Sequence, residues 1–396
     1  MTYRIRVLAG NVDGKAGSHV YLRELIARMA QRGHRISLVC FQAVPAIHRC
    51  AEVFEIPRFS VDQTPLLWRF ASVREYLYFT RRLRRLPLPP ADVVISGEHL
   101  LMKGHAGKYP DTPLIYVPMA RTALEEISNY GLTPIMSFVM KAVYRHLQGW
   151  GLRHAERTLR FNRKSCNVIA AEYGPCVNPR FVVNPIAVDL PAIPRVATGR
   201  QEVRLLSVGR LVAWKGIDTA LVALAPLHGY RWRFDIVGDG AMRPQLERQS
   251  RELGLANRVH FHGFQDDLGH YYRNADLFLF PSRCESQGLV VLEAMSYGLP
   301  CLAIRPDEMR YQNVNDEVIA HEENGLLATD EADFGRQLER VLKAPEEFAS
   351  LGKAARQHVG EFHTWERHLD CYEQLFVELI TAGKKPSVKK SVTRIR

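Results

Sequence analysis

Residues 4–40, RIRVLAGNVDGKAGSHVYLRELIARMAQRGHRISLVC, decide the fold. The run 4–9 is short and apolar apart from its arginines, and Gly10 bounds it, so it reads as a strand. Gly10, Gly14 and Gly17 make a glycine-rich turn. In residues 18–31 the apolar side chains Val20, Leu22, Leu25, Ile26 and Met29 then recur near the helical period. Gly33 stops that helix, and residues 36–40 form a second strand. Strand, helix, strand in so short a span is a βαβ unit. Its strands can run parallel only through a crossover helix, so a parallel α/β sheet is expected.

Working outward, the same half carries apolar runs at 93–95, 114–117, 168–170 and 181–183, each read as a strand. The pattern then restarts with a strand at 203–208, a helix at 217–227 and a strand at 232–237. A helix at 243–253, strands at 259–261 and 277–280, a helix at 289–297 and a strand at 300–304 follow. Asn184-Pro185 and Leu190-Pro191-Ala192-Ile193-Pro194 form a proline-rich hinge between the two series. A chain of 396 residues exceeds the roughly 250–300 that one core supports. The expectation is a first domain over 1–185, a second over 186–364, a helix over 365–382 returning to complete the first, and a basic flexible tail over 383–396. Two doubly wound domains would turn the carboxyl ends of both sheets toward a shared cleft, where ligands bind.

With 46% hydrophobic and 24% charged residues, the composition rules out a disordered chain. The net charge of +11 is uneven: Lys384, Lys385, Lys389, Lys390, Arg394 and Arg396 carry six of those charges in the tail, with no acid among them. No nucleic-acid motif accompanies the charge, so nucleic acid is not an expected partner. The seven cysteines are scattered, with no CxxC, and read as reduced thiols. Residues 1–10 read as a strand rather than a leader, and no apolar window is long enough to span a membrane. A cytoplasmic protein is expected, with peripheral attachment to the inner face of a membrane.

Two carboxylates carry the strongest chemical signal. Glu285 and Glu293 flank Ser286-Gln287-Gly288-Leu289-Val290-Val291-Leu292. A glycosidase pair needs carboxyl groups roughly 5–9.5 Å apart. Eight residues of continuous helix rise about 12 Å, which does not suit one scissile bond. The spacing fits better if Glu285 ends a loop and Glu293 lies within a helix. The backbone N–H groups of Ser286, Gln287, Gly288 and Leu289 would then lie at a helix N-terminus, which attracts phosphate. Anion donors between two carboxylates suit a nucleotide-sugar, although spacing alone favours two surface glutamates.

The stretch 281–300, PSRCESQGLVVLEAMSYGLP, resembles the PSxxExxGxxxxEAMAxGxP signature of family-4 retaining glycosyltransferases, which have the GT-B fold of two Rossmann-like doubly wound domains. Val208-Gly209-Arg210-Leu211 with Lys215-Gly216 resembles that family's GRLxxxKG element. Residues 236–240, IVGDG, and 259–264, VHFHGF, resemble two more of its elements. Residues 183–189, VNPIAVD, resemble its hinge-side NGVD with Pro-Ile-Ala in place of the glycine. The resemblance implies that Arg210 and Lys215 neutralise the donor diphosphate as it departs. Glu285 would contact the sugar near the reacting carbon, Glu293 would hold the ribose hydroxyls, and backbone groups of Gly263 and Phe264 would hold the base. Gly209, Gly238 and the loop Ser286 to Leu289 complete the expected donor site. The implied reaction is transfer of a hexosyl group with retention, by front-face attack assisted by the leaving phosphate. No bound metal or other cofactor is implied, and no Asp-x-Asp triplet or metal-spaced His/Cys cluster is present.

The first half matches less. Gly17 and Ser18 are expected to bring backbone amides to the donor diphosphate; they stand where the family often has Gly-Gly, and the turn lacks both Walker A and GxGxxG spacing. A histidine that many relatives carry after the strand at 114–117 is absent, because Pro118-Met119-Ala120-Arg121 follows instead. His99 is the substitute candidate for a catalytic role, with His105 a second. Residues 66–85 mix Trp68, Phe70, Tyr76, Tyr78 and Phe79 with arginines, and residues 134–160 are apolar on one side and basic on the other. Either could lie on an anionic membrane surface, or be a core helix with a solvated basic face. The expected partners are a nucleoside-diphosphate sugar, with UDP preferred over GDP-mannose, and a glycan, lipid-linked or small-molecule acceptor. The alternative is a catalytically degenerate nucleotide-sugar-binding protein of the same fold. Epimerases of this fold lack the paired glutamates, and its phosphorylases are much longer and use a pyridoxal lysine.

Overall fold

The structure is a computed structural model that describes residues 1–10, 12, 14, 17–57, 71–119, 134–174, 177, 180–195, 201–307 and 309–383. Lys15, Ala16, the aromatic run 66–70, Ala120, Arg121, Cys176 and the tail 384–396 lie outside the described residues. The chain divides into two units, residues 1–184 with 369–396 and residues 185–368.

In the first unit the described strands are β1 (Arg4–Leu8), β2 (Arg35–Cys40), β3 (Glu52–Glu55), β4 (Val93–Ser96), β5 (Leu114–Tyr116), β6 (Arg157–Arg160) and β7 (Phe181–Val183). They form one sheet in the order β3-β2-β1-β4-β5-β6-β7, every pair parallel. Sequence order reverses between β1 and β4, as in a doubly wound sheet. Every residue of β4 and β5 is buried, because helices cover both faces of a parallel sheet. Leu8, Val39, Val94, Leu101 and Tyr116 meet in its core. The last helix, Trp365–Gly383, closes the unit: the Tyr21 and Tyr372 hydroxyls are 3.1 Å apart, and His34 Nε2 lies 3.0 Å from Glu373.

The second unit repeats the plan with β8 (Val203–Val208), β9 (Trp232–Val237), β10 (Val259–Gly263), β11 (Leu277–Phe280), β12 (Cys301–Ile304) and β13 (Leu326–Ala328). Their order is β10-β9-β8-β11-β12-β13, again parallel, with the reversal between β8 and β11. Leu205, Phe234, Ile236, Leu279, Leu302 and Phe334 fill one face. Each such side chain contributes roughly 1.5–3 kcal/mol by leaving water.

Three sequence expectations are corrected. Residues 168–170 are not a strand but the middle of the helix Arg163–Tyr173, capped by Asn162, whose Oδ1 accepts from Ser165 N at 2.8 Å. Ser165, Cys166 and Ile169 are its buried residues, an i, i+1, i+4 spacing that is helical, and a three-residue apolar run cannot distinguish helix from strand. The basic segment 134–160 is not continuous: the helix Pro134–His154 ends and Arg157–Arg160 enters the sheet as β6. The helix expected at 217–227 also stops early, at Leu224.

Candidate functional site

The site grows from the carboxyl ends of β8, β9, β10 and β11. After β8 the chain passes Gly209 and Arg210, then a short helical turn Ala213–Lys215 that ends on Gly216. Gly216 has φ 68°, and a Cβ there would stand 2.0 Å from the Pro281 carbonyl oxygen. Only glycine lets these two loops approach so closely. The loop after β9 makes the same demand at Gly238: its φ is 134°, and a Cβ would lie 1.9 Å from the Gly209 carbonyl oxygen. The amide of Gly209 donates to Val237 at 2.9 Å, and that of Gly238 donates to Gly263 at 2.8 Å. Gly209, Gly238 and Gly263 therefore lock three strand ends into one platform.

The loop after β11 is stitched across it. Arg283 donates its amide to the Trp214 carbonyl at 2.8 Å, and its guanidinium grips Asp218 with two bonds of 3.1 and 2.8 Å. The Ser282 hydroxyl also reaches the Trp214 carbonyl. These contacts bring Lys215 Nζ to 2.5 Å from Glu285 Oε2, both side chains being 16% exposed. Burial pushes the Glu285 carboxyl up, but the Lys215 ammonium and the amides of Gly288 and Gln287 outweigh it and hold the group below its ordinary value. The Ser286 amide points at Glu285 Oε1, at 3.2 Å. The helix N-terminus expected to face a phosphate thus directs its amides at its own carboxylate. Gly288 supplies the turn with φ 62°, and the helix Leu289–Ser296 follows.

Glu293 lies within that helix, as its spacing from Glu285 required. Tyr272, fully buried, donates its hydroxyl to Glu293 Oε2 at 2.9 Å. Burial raises the Glu293 carboxyl above its ordinary value, and the Tyr272 bond opposes this only in part. The Arg210 guanidinium stands over the Trp214 ring at 5.9 Å, and Lys215 Nζ stands 5.2 Å from the centre of the Phe280 ring. A cavity of about 10 Å³ opens between Gly209, Arg210, Lys215, Phe280 and Pro281. It lies at the β8–β11 order reversal, where doubly wound sheets take ligands. Phe264 is exposed beyond Gly263. The structure thus gathers Gly209, Arg210, Lys215, Glu285 and the loop to Leu289 around one strand-end platform, with Gly238 and Gly263 at the neighbouring strand ends and Glu293 one turn along the helix.

In the first unit, Gly17 and Ser18 open the helix Gly17–Gln31. His99 begins the helix His99–Ala106 and is buried, with Nδ1 3.0 Å from the Tyr116 hydroxyl and its ring edge-on to Tyr144. His105 is buried against Arg6, with Nε2 2.7 Å from the guanidinium. Burial foremost, and then the charges of Arg6 and Lys108, pull His105 down to about 3, so it stays neutral. The residue at this sheet's own order reversal is Glu98, which sequence reasoning passed over. A Cβ on Gly10, after β1, would stand 2.9 Å from Glu98 Oε2, and Glu98 Oε1 accepts from the Leu100 amide at 3.0 Å. Tyr272, Asp218 and Arg283 were missed as well. Arg283 left a signal, since it falls inside the matching signature, and so did Asp218, two residues after the Lys215-Gly216 element. Among the described residues no group of three His, Cys, Asp or Glu side chains is placed to hold a metal, and no helix is long and apolar enough to cross a membrane.

Residues 194–358 match the glycosyl transferases group 1 family. A lipopolysaccharide core biosynthesis glycosyltransferase, LpsE of Rhizobium meliloti, is 31% identical over 175 residues, 43% of this chain and 48% of the relative. A D-inositol 3-phosphate glycosyltransferase of Saccharomonospora viridis is 33% identical over 51% of this chain and 49% of its own. The chain thus spans about half the length of these curated relatives. Among solved structures, sucrose-phosphate synthase of Thermosynechococcus elongatus superposes with a TM-score of 0.75 at 19% identity, covering 96% of this chain and 100% of the other. HepE of Anabaena, solved with UDP and glucose, gives 0.70 at 17% identity over 94% and 99%. The fold is GT-B: two doubly wound α/β units, as the sequence led us to expect.

Proposed function

We propose, from the premise that residues 194–358 form a glycosyl transferase group 1 domain, that the protein transfers a hexosyl group from a nucleoside-diphosphate sugar to a carbohydrate or lipid-linked acceptor with retention of anomeric configuration. The observation that carries this reading is the Lys215–Glu285 pair at the β8–β11 order reversal, with Arg210 beside it and Glu293 along the next helix. Arg210 and Lys215 provide fixed positive charge for a diphosphate whose charge grows as the bond to the sugar breaks. With the diphosphate bound, Lys215 has two anions to serve, and Glu285 is released toward the sugar hydroxyls. Glu293 accepts from the ribose hydroxyls while Tyr272 holds its other oxygen. The leaving phosphate takes the acceptor proton, so this chemistry asks for no metal. UDP is the preferred base, in keeping with the UDP in the HepE structure.

The acceptor is assigned to the first unit. The helix Ala71–Arg85 presents Arg81, Arg82, Arg84 and Arg85 to solvent around a buried Leu83, a face suited to an anionic membrane surface. Such a surface would hold lipid-linked acceptors, and one relative is named as an alpha-monoglucosyldiacylglycerol synthase, from Acholeplasma laidlawii.

Thermal unfolding with UDP, GDP, ADP and TDP and their sugars tests the donor. A ligand at 100 times its dissociation constant stabilises by about 2.7 kcal/mol, a shift of a few degrees. One base should shift the native protein and not Glu293→Ala. No shift with any base would refute the reading. Binding without release of nucleotide in the presence of acceptor glycans would favour the non-transferring alternative, to which the burial of His99 already lends weight.

A further inference from the structure

The second unit holds another pocket, away from the strand ends, and we propose that it binds a small phosphate-bearing anion. Its volume is about 230 Å³, and Arg204, Leu206, Arg233, Asp235, His262, His270, Tyr271, Asn274 and Ala275 line it. A water molecule's share of the liquid is about 30 Å³, so the space takes an oxyanion with a few further atoms.

The sheet itself explains why the pocket is polar. Alternate residues of a strand face opposite sides, so Leu205, Phe234 and Ile236 enter the core while Arg204, Arg233 and Asp235 face the other way. Arg204 on β8 and Arg233 on β9 are register partners, and β9 sets Asp235 beside His260 of β10. Two guanidinium groups on neighbouring strands are about 5 Å apart at the backbone and repel each other.

Asp235 relieves only one of them. Arg233 spends Nε and Nη2 on its carboxylate at 3.0 and 2.7 Å, and His262 Nε2 takes the same Oδ1 at 2.6 Å. Arg204 receives nothing from Asp235. Its Nε is covered from solvent and finds no hydrogen-bond partner among the described residues. Arg233 keeps its Nη1 amine for a ligand, since the guanidinium carries five N–H donors. Tyr271, edge-on to His262, walls one side, and His270 stands exposed at the mouth. Two arginines against one carboxylate leave the pocket a net cation with an unsatisfied donor. A phosphate would bridge Arg204 and the open edge of Arg233, satisfying both and removing their repulsion.

The site is distinct from the donor loops: Arg204 lies near the start of β8, whereas Gly209, Arg210 and Lys215 follow its end. Isothermal titration of the full chain with inorganic phosphate, at an ionic strength held with chloride, tests the proposal. With UDP present at saturation, one saturable site is expected, with a dissociation constant of about 1 mM or tighter. Arg204→Gln should weaken it about tenfold or more, the loss typical of a charge-assisted bond. His270→Glu changes only the exposed mouth and should weaken it severalfold, so the test stands even if Arg204→Gln fails to fold. UDP occupies the proposed donor loops, so phosphate binding that persists beside it belongs to this pocket. Titration with glycerol 3-phosphate, if tighter, assigns the site to phosphomonoesters rather than free phosphate. No saturable binding by the native protein up to about 10 mM, or binding left unchanged in both Arg204→Gln and His270→Glu, would overturn the proposal.

Discussion

Lys215 and Glu285 are 70 residues apart in the chain, yet their charged atoms stand 2.5 Å apart across neighbouring strand ends. Each is mostly buried, so each needs the other. Lys215→Met leaves the Glu285 charge desolvated without its counter-ion, and destabilisation of about 3 kcal/mol is expected. Glu285→Gln with Lys215→Met should recover most of that loss. Denaturant unfolding of the two single variants and the double variant measures the coupling, and strict additivity would exclude it.

The same pair sets an acid limit. The Glu285 carboxyl is held below its ordinary value of 4.5. A lowered carboxylate stabilises the fold above its unfolded value and loses that contribution as pH falls through the lowered one. Stability from this pair is therefore complete near neutrality and declines below about pH 4.5. Removing the pair in the double variant should flatten the acid side of the stability profile in that window.

Glu293 behaves in the opposite sense. Its carboxyl is raised by burial, so the ionised form at neutral pH costs stability. Glu293→Gln keeps an acceptor for the Tyr272 hydroxyl and removes the charge. The variant should melt above the native protein at pH 7.5, and the gap should close as acid protonates the native carboxyl. The same variant should lose donor binding, because the charge is retained for the ligand and not for the fold. Melting curves at several pH values, with and without UDP, read both effects.

His105 is pulled from 6.5 to about 3. Below pH 6.5 the unfolded chain takes up a proton that the folded one refuses, so stability falls as the pH drops toward 3, by about 4–5 kcal/mol over the whole range. His105→Gln retains an acceptor for Arg6 and cannot be protonated. Its unfolding free energy should depend less on pH between 6.5 and 4 than that of the native protein, as urea titrations at stepped pH would show.

Gly238→Ala places a methyl group 1.9 Å from the Gly209 carbonyl oxygen at a φ of 134°. The two loops must separate, with a loss of about 2–3 kcal/mol and of donor binding together. Gly229→Ala, where a Cβ meets nothing within 4 Å, should change neither. Circular dichroism melts and UDP shifts of the two variants make the comparison.

The strands β1, β2, β8, β9 and β11 and the helices at 17–31 and 289–296 were legible because each declares itself locally. Burial on both sides makes an apolar run, amphipathic packing makes a 3.6-residue period, and glycine marks the turns. The helix at 163–173 was misread because its apolar run of three has no period of its own. The motif loops were legible for a related reason. Gly216 and Gly238 sit where another backbone passes within about 2 Å of any Cβ, and no other residue fits.

What the sequence by itself determined is therefore the alternation of elements and the loops that bear Arg210, Lys215, Glu285 and Glu293. Only the tertiary structure decided which of these touch. Strand order placed β11 beside β8, so Lys215 met Glu285, and it placed β9 between β8 and β10, so Arg204 was left beside an Asp235 already taken by Arg233 and His262. Tyr272 met Glu293 across the same fold. The physical reason is range. Helical and extended preferences are set by neighbours a few residues apart. A hydrogen bond or an ion pair acts over about 3 Å between groups that only the order of the sheet brings together.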